Sequence, residues 1–291
     1  MNALLFPGQG SQIVGMGAEF CKNFNVAKKI FERADEELNF SLSKMILDGP
    51  ADELQLTKNT QPAILTVSYS IFKVLIEEFN FKLDEFKFFA GHSLGEYTAL
   101  VCSNSLQFND ALHLLHERGK AMQDAVPVGK GKMIAVLGTE IHNINNLIKL
   151  NKKDGEICEI ANDNANGQVI LSGEKKSIES FSSVLKNEKI KFIPLNVSAP
   201  FHCSLMTPAA KVMKEKIDRV DFQKPKIEIF SNVTAKPENN PLNIKNLLVE
   251  QIYSTVRWRE SLLNMFEKGI KNYIEIGPGK VLSGMSKRTL K

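Results

Sequence analysis

The chain has 291 residues, 43% of them apolar and 24% charged, with a formal net charge of +4. This excludes a minimal module and suits one large domain, or a large domain carrying a smaller insert, whose core needs neither disulfides nor metals. Acids interrupt the densest basic stretches, as Glu188 does between Lys186 and Lys191, so no nucleic-acid footprint forms, and no apolar run reaches the length of a membrane span.

The opening NALLFPGQGSQ reads as a short apolar strand that breaks at Pro7-Gly8. Helical patterns follow around 15–37 and 41–48, and a long amphipathic stretch over 61–79 takes Thr60 as its N-cap. FKFFA (86–90) reads as a buried strand, with one helix opening close to Ser93 and another over 108–124. After PVGKGK (127–132) come a strand MIAVLG, a helix near 141–150, strands near 157–161 and 168–172, a helix over 175–187 and a strand KFIPLNV. That β-α-β-β-α-β order is ferredoxin-like. Beyond it lie a helix over 204–219, a strand near 227–231, helices near 244–251 and 257–268, and a strand NYIEIG. Strands alternating with helices imply a mainly parallel sheet. The expected organisation is a large α/β domain of residues 1–127 and 198–291 with a small ferredoxin-like domain, 128–197, inserted in it.

The four cysteines, Cys21, Cys102, Cys158 and Cys203, are far apart and include no C-x-x-C pair. This argues against a zinc site or a disulfide framework and suits a reducing compartment. The N-terminus shows no basic region, apolar core and cleavage site in succession, so the expectation is a cytoplasmic protein.

Chemistry concentrates at Gly91-His92-Ser93-Leu94-Gly95, a match to G-x-S-x-G. Such a nucleophile elbow makes the large domain α/β-hydrolase-like in expectation. A serine on a tight strand-to-helix turn takes strained backbone angles, and flanking side chains would clash, so glycine is needed on both sides. The turn also aims the first amides of the helix at a reacting carbonyl. The bland alternative is a serine that merely sits in a turn. A serine nucleophile needs a base, and five histidines are present. His92 adjoins the serine with its side chain directed elsewhere, in a structural role, and His113, His116 and His142 sit on helices as surface or packing residues. His202, in NVSAPFHCSLM, precedes a helix where a loop meets the edge of the sheet; on the residues alone it is either the base or a helix-entry histidine. Arg118, in HERGK, reads blindly as a solvated helix residue paired with Glu117 or Asp124. PGQGSQIVG places Ile13 where a dinucleotide loop needs glycine, and Ile274 stands where a P-loop reading of GPGK needs one, so neither NAD nor ATP is implied. No metal or other cofactor is expected.

Six motifs in order, FPGQGSQ (6–12), GHSLGE (91–96), ERG (117–119), SAPFH (198–202), EQIYSTVRW (250–258) and EIGPGKVL (275–282), strongly resemble those of malonyl-CoA:acyl carrier protein transacylases. The related acyltransferase domains of fatty acid and polyketide synthases share them. The resemblance spans nearly the whole chain and implies the inserted small domain as well. It implies that Ser93 carries the acyl group, that His202 is its base, and that the backbone N–H groups of Gln9 and Leu94 form an oxyanion hole. It implies that Arg118 binds the free carboxylate of malonyl and that Gln251 lies by the histidine, where a main-chain carbonyl replaces an aspartate. Asn162 falls in a pocket region, and Phe201 in a pocket wall whose phenylalanine accompanies malonyl where a serine often accompanies methylmalonyl. The implied partners are malonyl-CoA and an acidic holo acyl carrier protein, with the enzyme a monomer. An esterase or thioesterase and a non-enzymatic acyl-binding scaffold are the rivals. The first would place an acid between the serine and a histidine near the C-terminus, and the second would not need Ser93, His202 and Arg118 together.

Overall fold

The computed structural model describes residues 1–151 and 154–291. Among the described residues, nine strands form two sheets: β1 (Asn2–Phe6), β2 (Phe86–Gly91), β7 (Glu228–Phe230), β8 (Pro237–Glu238) and β9 (Asn272–Glu275) in one, and β3 (Gly131–Leu137), β4 (Cys158–Ala165), β5 (Gln168–Glu174) and β6 (Lys191–Pro194) in the other. The larger sheet has the order β8-β7-β2-β1-β9, parallel throughout except for the edge strand β8. Its central strands are apolar almost without interruption because helices cover both faces. Alternation still sorts the side chains: Leu4, Phe6 and Phe89 enter one core, while Ala3, Leu5, Phe88 and Ala90 enter the other.

The smaller sheet, β4-β5-β3-β6, is antiparallel. With the helices Ile141–Asn151 and Lys175–Asn187 between its strands, it has the strand order and connections of a ferredoxin-like unit. A separate apolar core including Ile134, Val136, Leu171 and Phe181 lies beneath it. The fold is thus the expected α/β class, a mainly parallel sheet accompanied by a ferredoxin-like one. Among the described residues, no helix is long and apolar enough to cross a membrane.

One expectation about the helices fails. The helix read from 61 begins at Thr57 and runs to Glu78, so its N-cap is Leu56 rather than Thr60. Thr60 lies buried in the first turns and donates its hydroxyl to Leu54 O at 2.6 Å. Pro62 sits inside the helix and leaves the carbonyl four residues earlier without its helical partner. His116 supplies one, Nδ1 lying 2.9 Å from Lys58 O. A C-terminal helix, Val281–Thr289, also forms; its Leu282 and Met285 are buried in the second core.

Candidate active site

Strands β1 and β2 end side by side, with Phe6 opposite Gly91. Both following loops therefore emerge at the carboxyl edge of the sheet, where open α/β folds place their ligands. The His92 N–H donates to Phe6 O at 3.0 Å, which holds the Ser93 turn against the loop of Gly8 and Gln9. Ser93 takes φ 52°, in the left-handed region. A Cβ on Gly91 would lie 1.9 Å from the Gly95 carbonyl, and one on Gly95 2.2 Å from Phe6 O. The glycines on both sides of the serine are thus required by contact with backbone, as the motif's spacing predicts. The helix Gly95–Cys102 begins immediately beyond.

His202 comes from the loop that re-enters the large sheet, and it too has a positive φ, 56°. Its Nε2 lies 2.8 Å from Ser93 Oγ, and its Nδ1 lies 2.8 Å from the main-chain oxygen of Gln251. A carbonyl only accepts, so Nδ1 carries the proton and Nε2 offers its lone pair to the serine hydroxyl. The ring is buried. Burial, and next the Arg118 cation nearby, push His202 down to about 3. A base whose pKa is lowered stays unprotonated as the pH falls. Single-turnover acylation followed by stopped flow should therefore show no loss through the ordinary histidine range, between about pH 7 and pH 5; a fall centred near pH 6.5 would contradict this state of the ring.

Arg118 does not point to solvent. It is 1% exposed, and Glu117 pairs with Lys120 and Lys216 instead. The blind expectation of a salt bridge to Glu117 or Asp124 fails because the arginine faces the opposite, buried side of the helix Phe108–Asp124. Its Nη1 donates to Gln61 Oε1 at 2.8 Å, and its Nη2 to Gln251 Oε1 at 2.9 Å and Ser93 Oγ at 3.1 Å. Nε has no partner. The guanidinium lies 5.8 Å from the centre of the Tyr97 ring. All its hydrogen-bond acceptors are neutral, so a buried cation stands beside the serine without a carboxylate in contact.

Close helix packing brings Arg118 there. A Cβ on Gly119 would lie 2.4 Å from the Cα of Lys58, so the glycine of ERG lets the helix touch the one that carries Gln61. Replacing Gly119 with Ala should separate the two helices, cost about 1–3 kcal/mol of stability and withdraw Arg118. Thermal unfolding and malonyl-CoA acylation should both decline; an unchanged acylation rate would show that the approach is incidental.

A cavity of about 310 Å³ opens onto these groups, lined among others by Gln9, Leu94, Arg118, Asn162, Phe201 and His202. Among the described residues, the N–H groups of Gln9 and Leu94 meet no hydrogen-bond acceptor. Asn162 and Asn164 reach the cavity from β4. Asp163 between them faces the other way and pairs with Arg259, at 2.9 Å from Nε. Backbone bonds between Asp163 and Val256 (3.0 Å) and between Val256 and Ala161 (2.8 Å) clasp β4 to the segment that leads into the helix Trp258–Glu267. Each site residue expected from sequence therefore lines this cavity or, for Gln251, lies buried behind it.

His92 has a structural place, as its position suggests. Its Nε2 lies 2.8 Å from Asn164 Oδ1, its ring meets Trp258 edge-on, and it forms part of the cavity wall. The sequence reading also missed three buried groups. Gln61 holds Arg118, while Asn232 accepts the Ser93 N–H through Oδ1 at 2.7 Å and donates from Nδ2 to Gly91 O at 2.7 Å. The third, Glu96, accepts from Gln251. Only Glu96 carried a signal, as an acid in the otherwise apolar start of a helix.

A serine on an elbow, a histidine held by a carbonyl, unpaired amides and a buried arginine suit acyl transfer through an ester of the serine, and the comparisons give the class. A family model described as "Acyl transferase domain" matches residues 3–291. The malonyl CoA-acyl carrier protein transacylase of Bacillus subtilis (strain 168) is 43% identical over 287 residues, 98% of this chain and 89% of that protein. The crystal structure of an acyl carrier protein S-malonyltransferase from Vibrio cholerae superposes with a TM-score of 0.95 at 39% identity, over 99% of this chain and 94% of that one. A type II PKS acyl-carrier protein in complex with its malonyl-transacylase gives the same TM-score and identity, over 99% and 93%. The chain belongs to the malonyl CoA-acyl carrier protein transacylases.

Proposed function

We propose that the protein moves malonyl from malonyl-CoA to the phosphopantetheine thiol of an acyl carrier protein through a malonyl ester of Ser93, supplying fatty acid synthesis. The observation that carries the reading is Arg118, buried with neutral partners and 3.1 Å from Ser93 Oγ. A planar guanidinium grips a carboxylate through paired hydrogen bonds, and the distal carboxylate is what malonyl has and acetyl lacks.

As Ser93 Oγ attacks the thioester carbon, its proton passes to His202 Nε2. The oxyanion falls to the N–H groups of Gln9 and Leu94, one such donor being worth about 3–4 kcal/mol. The C–S bond then breaks, and His202 returns the proton to the departing CoA sulfur. In the second half the carrier thiol gives its proton to His202 and attacks the ester, and Ser93 Oγ leaves with that proton. Two thiols of like chemistry explain why one dyad serves both halves. Gln251 orients His202 through its carbonyl, while Phe201 and Asn162 shape the acyl pocket.

In this reading residues 128–197 form a small domain set into a large one of 1–127 and 198–291, and the enzyme works as a monomer in the cytoplasm. The net positive charge suits an acidic carrier. Incubation with malonyl-CoA and holo carrier protein should yield malonyl-carrier protein; release of free malonate in its place would favour a thioesterase.

A further inference from the structure

Glu96 takes no part in the chemistry above, yet it lies buried, 3% exposed, at the start of the helix that follows the nucleophile. Its Oε2 accepts from Gln251 Nε2 at 2.7 Å and from the Asn232 N–H at 3.1 Å. Each of those residues touches the site with its other end. Gln251 Oε1 accepts from Arg118 Nη2 at 2.9 Å, and Asn232 Oδ1 accepts from the Ser93 N–H at 2.7 Å.

A primary amide can turn over and exchange its oxygen for its nitrogen. In Gln251 the choice is set by what surrounds Nε2: Glu96 Oε2 at 2.7 Å, Ser93 O at 3.1 Å and Asn232 Oδ1 at 3.4 Å. Glu96 makes the shortest of these bonds. Turned over, Gln251 would point an NH₂ group at the guanidinium, donor against donor, and Arg118 would lose an acceptor.

We infer that Glu96 is a positioning residue for carboxylate recognition: by fixing the Gln251 amide it aims Arg118 at the acyl pocket, and through Asn232 it steadies the Ser93 turn. This rests on the reading of Arg118 as the grip on the malonyl carboxylate. The role requires an acceptor rather than a charge. Burial pushes the Glu96 carboxyl up to about 7, against the hydrogen bonds from Asn232 and Gln251 and the nearby Arg118, which lower it. A carboxyl protonated on its other oxygen still accepts through Oε2.

The test compares Glu96→Leu with Glu96→Gln in the full chain, reading kcat/KM for acylation by malonyl-CoA and by acetyl-CoA. Glutamine keeps an oxygen where Oε2 stands and should keep the wild-type preference for malonyl. Leucine removes the shortest of the bonds that hold the Gln251 amide and leaves only the two longer ones, and the preference should fall by about ten- to a hundred-fold, chiefly through KM for malonyl-CoA. Glu96→Ala reads the same ratio if the leucine variant does not fold. Equal losses with both thioesters, or a glutamine as damaging as leucine, would overturn the inference. A wild-type enzyme with no malonyl preference would overturn the reading of Arg118 itself, and this inference with it.

Discussion

Replacing His202 with Asn is expected to slow acylation of Ser93 by about 10²–10⁴-fold while leaving the fold intact. Asparagine is the substitution of choice because residue 202 has φ 56°, a region that asparagine tolerates better than alanine does. The variant therefore removes the base with little added backbone strain. The hydroxyl of Ser93 loses the acceptor that lies 2.8 Å away. His92 does not replace it, since its Nε2 is committed to Asn164 at 2.8 Å. Arg118 still donates to Ser93 Oγ, but a donor cannot remove the proton. Burst kinetics with malonyl-CoA, alongside thermal unfolding, check the result. A variant that keeps its acylation rate would show that His202 is not the base.

Replacing Arg118 with Ala should lower kcat/KM for malonyl-CoA by about two to three orders of magnitude and affect acetyl-CoA far less. Truncating one partner of a buried charged pair typically costs about 2–5 kcal/mol, and only malonyl brings the carboxylate that makes the pair. In the free enzyme the cation has been taken out of water, and burial lowers the Arg118 pKa. Incoming malonyl gives the guanidinium a charged partner, whereas incoming acetyl leaves it uncompensated. Removing the arginine thus removes a gain for one substrate and a penalty for the other. Equal losses with the two thioesters would contradict the assignment.

The sequence foretold most of the frame because frame and pattern share a cause. The apolar runs at 2–6 and 86–91 are apolar because both faces of those strands are covered, and the glycines around Ser93 are fixed by contacts that no side chain could make. The βαββαβ alternation likewise gave the small sheet. What escaped depends on partners distant in the chain. The helix start at Thr57 rather than near Thr60 is compatible with Pro62 because His116, 58 residues from Lys58, serves the freed carbonyl. Arg118 read as a surface residue from its neighbours in sequence, yet its partners Gln61 and Gln251 lie 57 and 133 residues away. Asn232 is 139 residues from Ser93, and nothing in its local sequence marks it. The helix Val281–Thr289 is short and holds Gly284 and two serines. Tertiary packing of Leu282 and Met285 holds it in the second core.

The central claim is that Ser93 carries malonyl. Wild-type protein and a Ser93→Ala variant, each mixed with malonyl-CoA and examined by intact mass and then by peptide mapping, test it most directly. The account predicts a single malonyl group on the wild type, located in the peptide containing GHSLGE, lost on addition of holo carrier protein, and absent from the variant. An unmodified wild type, or an adduct that persists in the variant, would contradict it.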